Sequence, residues 1–248
     1  MHPEPLHSSP PPMGRAFEYR RAAKEKRWDR MSKIFPKLAR SITVAARQGG
    51  PDPESNSRLR TAILNAKAQN MPKDNVDAAI RRAAGKDGAD FSEAFYAGKG
   101  PHGALLVVEC ATDNPNRTIS NLKTHFNKGG GQLVQSGSLE VLFTRQAVVA
   151  FTLPSGADLE EIELALIDAG LDDLEVAGDA VFARGDYTSF GSLSQAVEDL
   201  GCPIVKAFLQ RVPTNPVELT EEQMTEVENL IDRLEDDEDV QAVFTNVA

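Results

Sequence analysis

Residues 147–207 read AVVAFTLPSGADLEEIELALIDAGLDDLEVAGDAVFARGDYTSFGSLSQAVEDLGCPIVKA, and this stretch decides the fold class. Asp158–Ala169 repeats apolar residues at intervals of three and four, which predicts a helix, and Ser192–Gln195 fits a capping box for a second one. Short apolar runs predict four strands: Ala147–Phe151, Leu174–Val176, Ala180–Ala183 and Pro203–Val212. The resulting order β-α-β-β-α-β is typical of a ferredoxin-like unit.

The segment before this unit is predicted to contain strands and one helix. The apolar run Ala104–Cys110 indicates a buried strand. Asn114-Pro115 begins a helix, and three consecutive glycines from Gly129 end it. We expect Leu139–Phe143 to form a strand that pairs with Ala147–Phe151.

The segment after the unit supplies the remaining elements of a second α/β layer. A capping box at Thr220 begins the last helix, and Val240–Val247 is a closing strand. We therefore infer that residues 146–205 form a ferredoxin-like domain inserted into an α/β domain of residues 89–145 and 206–248.

The N-terminal part of the chain is predicted to be helical. Apolar residues in Met31–Gln48 recur with the helical period, and the pattern stops at Gly49-Gly50. Asp52-Pro53 is expected to cap and open a second helix. Pro72 opens a third helix, Lys73–Ala84.

These patterns predict an α+β protein: an N-terminal helical bundle followed by two α/β domains, one ferredoxin-like and inserted in the other. The basic helical domain covers residues 15–88. Residues 1–14 are expected to be a disordered extension. Residues 1–12 include three consecutive prolines and no apolar run, so we expect them to be dispensable and not a signal peptide.

Charge is divided unevenly along the chain. Residues 15–86 contain 18 Lys and Arg against 7 Asp and Glu, a net charge of +11. Residues 87–248 contain 9 against 29, a net charge of −20. Such asymmetry indicates a polyanion-binding face on the basic part, while the acidic part repels polyanions.

The basic part is the candidate nucleic-acid interface, because neutralising phosphates is the common use of such a surface. An ordinary solvated helical surface is the alternative. No recognition-helix, zinc-finger or RNP motif accompanies the cations, so sequence-specific readout is not predicted. The predicted nucleic-acid-binding residues are Arg20, Arg21, Lys24, Arg27, Lys33, Lys37, Arg40, Arg47, Arg58, Arg60, Lys67, Arg81 and Arg82.

A polar segment at a strand end and helix start is a possible second contact. It contains Asn114, Asn116, Arg117 and Thr118 around Pro115. Cap-and-turn chemistry explains these residue types, and so does an anion or nucleic-acid contact at the helix N-terminus. The sequence leaves both interpretations open.

The remaining sequence patterns argue against catalytic, metal and cofactor sites. Gly98–Gly103 matches G-x-G-x-x-G, but a strand follows it, so we expect a turn rather than a dinucleotide site. The acidic run Glu235–Asp239 lacks the ligand pattern of a calcium loop and is interpreted as solvated. Cys110 and Cys202 are expected to be buried free thiols. No catalytic constellation, metal ligand set, cofactor motif or membrane span is predicted.

Six short motifs lie along the chain between Gly49 and Phe143. They are Gly49–Glu54, Asn56–Arg60, Asn70–Val76, Thr112–Thr118, Lys128–Gly130 and Gly137–Phe143. In this order they resemble the YebC family of probable transcriptional regulators, over about residues 13–248. The resemblance implies a helical bundle with two α/β domains, a cytoplasmic protein and DNA binding.

Residues and resemblance together predict a non-enzymatic, cytoplasmic, nucleic-acid-binding protein, a DNA-binding transcriptional regulator. The alternative is a ribosome-associated translation factor that assists synthesis through proline-rich stretches, because the resemblance includes relatives, among them a mitochondrial translational activator, that act in translation. DNA, RNA or the ribosome would be held by the same basic helices. The sequence therefore does not separate these partners.

Overall fold

The computed structural model describes residues 31–85, 91–135 and 137–247. In chain order the elements are α1 (Met31–Gly49), α2 (Ser57–Ala68), α3 (Lys73–Ala84), β1 (Ser92–Lys99), β2 (Leu105–Thr112), α4 (Pro115–Lys128), β3 (Gln132–Val134), β4 (Phe143–Phe151), α5 (Leu159–Ile167), β5 (Leu171–Ala177), β6 (Ala180–Asp186), α6 (Phe190–Asp199), β7 (Ile204–Pro213), α7 (Glu221–Glu235) and β8 (Val240–Thr245). The mixed α+β class predicted from the sequence is confirmed.

Helices α1, α2 and α3 pack into one bundle around a small apolar core. Its buried side chains include Ile42, Leu59, Ala66 and Val76. The hydroxyl of Thr43 donates to the carbonyl oxygens of Ala39 and Ala79, at 2.9 and 3.0 Å, and so joins α1 to α3. The predicted extension of residues 1–14 lies outside the described part of the chain.

The start of α2 differs from the sequence prediction. Asp52 accepts from the backbone nitrogen of Glu54 in a turn, and the helix begins only at Ser57. The N-cap is Asn56, whose Oδ1 accepts from the nitrogen of Leu59 at 3.0 Å while Nδ2 donates to the carbonyl of Ala45 at 2.9 Å. Asn56 is buried between the two helices, so its side chain can accept from a backbone N–H of α2 and donate to a carbonyl of α1 at the same time. Asp52 is exposed and cannot reach both helices.

The first sheet has the order β3-β1-β2-β8, with antiparallel pairs throughout. Helices α4 and α7 cover it, and Leu106, Phe126 and Leu230 lie in the shared core. Gly98 is at the end of β1, where a Cβ would stand 2.2 Å from the ring of Phe126. The Gly98–Gly103 motif forms the turn between β1 and β2, as predicted, and the glycine serves close packing.

The second sheet has the order β5-β6-β4-β7 and is also antiparallel. Its sequence order β4-α5-β5-β6-α6-β7 confirms the ferredoxin-like pattern. Helices α5 and α6 cover one face, where Phe151, Leu166 and Leu193 are fully buried. The chain first forms β1, β2 and β3 of the first sheet and then all four strands of the second sheet, β4 to β7. It returns to the first sheet with α7 and β8. The domain limits 146–205 remain a prediction.

Two local predictions around this sheet are wrong. Leu139–Phe143 is not a separate strand, because Glu140–Leu142 forms a 3-10 turn and Phe143 begins the continuous strand β4. The apolar residues there serve packing, since Leu139 and Phe143 are buried beside Val107. Ser192 does not cap α6, which begins at Phe190, and its hydroxyl donates to the carbonyl of Ala169 at 2.7 Å.

None of the helices in the described ranges is long and apolar enough to cross a membrane. Both cysteines are free and buried, as predicted.

Candidate nucleic-acid interface

Four cations of the helical bundle point into solvent without an ionic partner among the described residues. They are Lys67 at the end of α2, Lys73 at the start of α3, and Arg81 and Arg82 in its last turn. The core face of α3 consists of Val76, Ala79, Ile80 and Ala83, which leaves the two arginines on its outer side. We name Lys67, Lys73, Arg81 and Arg82 the outer cation face.

Lys37 and Arg40 of α1, by contrast, face the C-terminal part of the chain. Nζ of Lys37 donates to the carbonyl oxygen of Glu235 at 2.6 Å. The guanidinium of Arg40 pairs with Glu238 at 3.2 Å and Asp239 at 2.9 Å, and lies 5.1 Å from the ring centroid of Phe91. These two predicted phosphate ligands hold the bundle against the sheet domain.

Asp239 is the centre of this contact. Its Oδ2 accepts from Arg117 at 2.9 Å, from Thr118 at 2.8 Å and from Thr112 at 3.1 Å. Burial by itself raises the pKa of Asp239, but the hydrogen bonds from these residues and the charge of Arg117 outweigh it and hold the pKa below its usual value. The carboxylate is therefore charged at neutral pH and ties α1, α4 and β2 together.

The acidic run Glu235–Asp239 is only in part the solvated loop that the sequence suggests: Asp236 and Glu238 are exposed, but two other carboxylates are not. The side chain of Asp237 is only 6 % exposed and accepts from Asn121 at 3.1 Å. Asp239 is 2 % exposed. A cavity of about 400 Å³ lies between Arg40, Arg117 and these carboxylates.

The polar segment at the start of α4 performs the cap-and-turn chemistry that the sequence allowed. Oδ1 of Asn114 accepts from the backbone nitrogen of Arg117 at 3.1 Å, which makes Asn114 the N-cap. Thr118 is buried against Asp239, whereas Asn116 and Arg117 are exposed. A contact role for this segment stays a prediction.

The remaining predicted cations divide into three groups. Arg58 pairs with Glu93, and Arg60 donates to the carbonyl of Glu54 at 3.0 Å, so both have partners within the chain. Arg47 is half-buried near the end of α1. The side chain of Lys33 and residues Arg20, Arg21, Lys24 and Arg27 lie outside the described part.

Sequence reasoning missed two residues of this region. Lys73 belongs to the outer cation face, and its position at the first turn of a basic helix was a usable signal. Asp239 was missed because nothing in an acidic run distinguishes a buried carboxylate from its exposed neighbours. Within the described ranges, no group of three metal-binding side chains is present.

The described fold, a helical bundle before two antiparallel sheets, is shared with a solved structure of another organism. The crystal structure of a conserved hypothetical protein from Aquifex aeolicus matches with a TM-score of 0.77 and 36% sequence identity. The match covers 88% of this chain and 90% of that chain. The similarity therefore includes the bundle as well as both sheets.

Sequence comparisons lead to the family. Residues 15–86 match the TACO1/YebC protein N-terminal domain, and residues 91–247 match the TACO1/YebC second and third domain. A probable transcriptional regulatory protein of Wolinella succinogenes is 62% identical over 239 residues, which cover 95% of this chain and all of that protein. Another of the same description, from Campylobacter concisus, is 60% identical over 235 residues, with the same coverage. This chain belongs to the TACO1/YebC family.

Proposed function

We propose that this protein is a non-enzymatic, cytoplasmic, DNA-binding transcriptional regulator that holds the phosphate backbone through the outer cation face. The observation that carries the proposal is the exposure of Lys67, Lys73, Arg81 and Arg82 without carboxylate partners in the described part of the chain. A cation that already has a carboxylate partner gains less binding free energy from a phosphate contact, since the existing ion pair must first break. Unpaired cations require no such exchange.

The charge distribution supports a single contact face. Between Lys67 and Gly85 the chain has four cations and two carboxylates, whereas residues 87–248 carry a net charge of −20. A nucleic acid is attracted to the bundle and repelled by the sheets. The protein would therefore lie on one side of its partner rather than being wrapped by it.

The family supports a regulatory role. The relatives named above carry the description probable transcriptional regulatory protein, which assigns those proteins to gene regulation. No known recognition motif accompanies the outer cation face, so the expected contacts are to phosphates and position the protein without reading sequence.

Crosslinking in cells, followed by sequencing of the bound nucleic acid, tests the proposal. We expect promoter-proximal DNA to be enriched with the wild-type chain and lost when Lys67, Lys73, Arg81 and Arg82 are replaced by Glu. Enrichment of ribosomal RNA instead of DNA would overturn the transcriptional role. It would support the ribosome-associated translation factor, which would use the same cations.

A further inference from the structure

The ferredoxin-like sheet has one margin that is strongly acidic. From Gln146 to Ala183 the chain has nine carboxylates and no Lys, Arg or His. All except Asp158 and Asp179 belong to α5, β5 or the turn between them, and every one of the nine is exposed. The next cation along the chain, Arg184, already pairs with Asp173 at 2.8 Å and with Glu175. The margin therefore has an unbalanced negative charge.

Three aliphatic side chains are exposed on the same margin. Leu164 is 67% and Ile167 53% exposed, and they lie three residues apart on one face of α5. Val176 of β5 is also 53% exposed. It pairs with Val181, which belongs to the core beneath the helices, so Val176 lies on the helix-covered face of the sheet. Leu164 and Ile167 belong to α5 and Val176 to the neighbouring strand β5, so all three lie on the same margin of the sheet domain.

The strand at this margin has an open edge. β5 is a terminal strand, and in the described part of the chain it pairs with β6 alone. The opposite terminal strand, β7, has an edge that is covered by another element. The side-chain amide of Asn65 donates to the carbonyl of Ala207 at 2.7 Å and accepts from its nitrogen at 3.1 Å. One edge of the sheet is thus covered by α2, and the other presents backbone groups to a partner.

We propose that the α5–β5 margin is a docking surface for an extended, basic segment of another protein, which adds a strand to β5. Lysine and arginine side chains of the segment would pair with Asp172, which has no ionic partner among the described residues, and would compete with Arg184 for Asp173 and Glu175. Its apolar side chains would cover Leu164, Ile167 and Val176. Strand addition supplies backbone hydrogen bonds, and alternate side chains supply specificity.

Charge selects this occupant over the others. A second copy that added its own β5 to this edge would bring its carboxylates against Asp172 and Glu175, and like charges at an edge oppose pairing. Nucleic acid is repelled for the same reason, so this surface is distinct from the outer cation face. The inference does not depend on which nucleic acid the bundle binds.

Titration of the full chain with defined peptides tests the proposal. The probes are the basic peptide KVKVRVK, which has the same length as the seven-residue strand β5, and its acidic counterpart EVEVEVE. We expect the basic peptide to bind at least tenfold more tightly by fluorescence anisotropy. Its binding should shift the NMR signals of the Leu171–Ala177 amides before any others.

Two variants and a matched control locate the site. Leu164→Ser with Ile167→Ser should weaken binding of the basic peptide at least fivefold. Asp172→Lys, which breaks no ion pair among the described residues, should weaken it at least threefold. The matched controls for Asp172→Lys are the single variants Glu140→Lys, Glu218→Lys and Glu222→Lys, which change exposed carboxylates elsewhere. Each should leave the affinity within twofold. Retained far-ultraviolet circular dichroism shows that each variant is folded.

Three results would overturn the proposal. The first is equal affinity for the two peptides, or an affinity that neither site variant lowers. The second is a dimer of the full chain, seen by sedimentation, that Leu164→Ser with Ile167→Ser dissociates, because the occupant would then be a second copy. The third is a shift of the Leu171–Ala177 amides when Arg20, Arg21 and Lys24 are changed to Glu without peptide, because the occupant would then be the chain's own N-terminal region.

Discussion

Nη1 of Arg40, on the first described helix, lies 2.9 Å from Oδ1 of Asp239, next to the C-terminal strand. The two residues are 199 positions apart in sequence. The same carboxylate also accepts from Arg117 of α4, so one buried acid holds the bundle and the first sheet in a fixed relation. This contact, together with those of Lys37, Arg58 and Asn65, fixes how the outer cation face is oriented with respect to the two sheets.

Replacing Asp239 with Asn should destabilise the protein. The amide has the shape of the carboxylate but no charge, and it leaves Arg40 with only the exposed Glu238 and Arg117 with only Asp113 as acidic partners. Removing one partner of a buried ion pair costs about 3 kcal/mol. Urea unfolding at pH 7 measures the loss. Glu238→Gln is the control, because Glu238 also pairs with Arg40 but its side chain is 79% exposed, and exposed pairs contribute at most about 1 kcal/mol. Equal losses in the two variants would contradict the central role of Asp239.

The stabilisation by Asp239 should depend on pH. Its pKa is lowered in the folded chain, so the carboxylate releases its proton more readily there than in the unfolded chain, where the pKa is about 3.9. The stabilisation is therefore fully present above pH ~4 and is lost as the pH falls through the folded-state pKa. The difference in unfolding free energy between wild type and Asp239→Asn should shrink from pH 7 to pH 2. A constant difference over this range would refute the assignment.

Asn65→Ala should uncover the outer edge of β7. The change removes both hydrogen bonds to the backbone of Ala207, a buried residue of the edge strand. Leaving buried backbone groups unpaired costs about 1–3 kcal/mol, and hydrogen exchange at Ala207 should become faster. Thr61→Ala, on the same helix, loses only a bond to the carbonyl of Ser57 and should cost less. Unchanged exchange at Ala207 in Asn65→Ala would show that the amide does not cover this edge.

Cys110 and Cys202 should be inert in the folded protein. Burial raises the pKa of both thiols, and the nearby carboxylates of Asp237 and Asp239 raise that of Cys110 further. At pH 8 we expect slow reaction with a thiol reagent, and fast reaction of both cysteines in urea. Replacing both with Ala should leave nucleic-acid affinity unchanged. Rapid labelling of the folded chain, or a tenfold loss of affinity in the double variant, would show that the thiols are not merely structural.

Local patterns predicted much of the fold. The third helix begins and ends where Pro72 and the apolar period place it, and the β-α-β-β-α-β order of the second sheet follows from short runs between turn residues. Helix limits and strand order depend on residues that lie within a few positions of each other in the sequence. The capping errors at Asp52 and Ser192 arise because several polar residues compete near a helix start. Burial against another helix decides in favour of Asn56, and the sequence does not show burial.

The candidate site was less predictable. Lys37 and Arg40 have the same residue types and period as phosphate ligands, but their partners Glu235 and Asp239 are about 200 positions away. Only the three-dimensional structure distinguishes cations that hold the bundle in place from cations that remain exposed. For the same reason, reversing the charge of Arg40 tests the docking of the bundle as well as nucleic-acid binding.

Binding of duplex DNA of about 20 base pairs, measured by fluorescence anisotropy at two salt concentrations, tests the central claim most directly. Four phosphate contacts, each with a log–log slope of about −0.9, predict about a hundredfold loss of affinity for a fourfold rise in salt. Changing Lys67, Lys73, Arg81 and Arg82 to Glu should nearly abolish binding. The control changes Lys99, Lys123, Lys128 and Arg233, exposed cations outside the bundle, to Glu and should keep most of the affinity. Wild-type affinity in the outer-face variant, or no dependence on salt, would contradict the account.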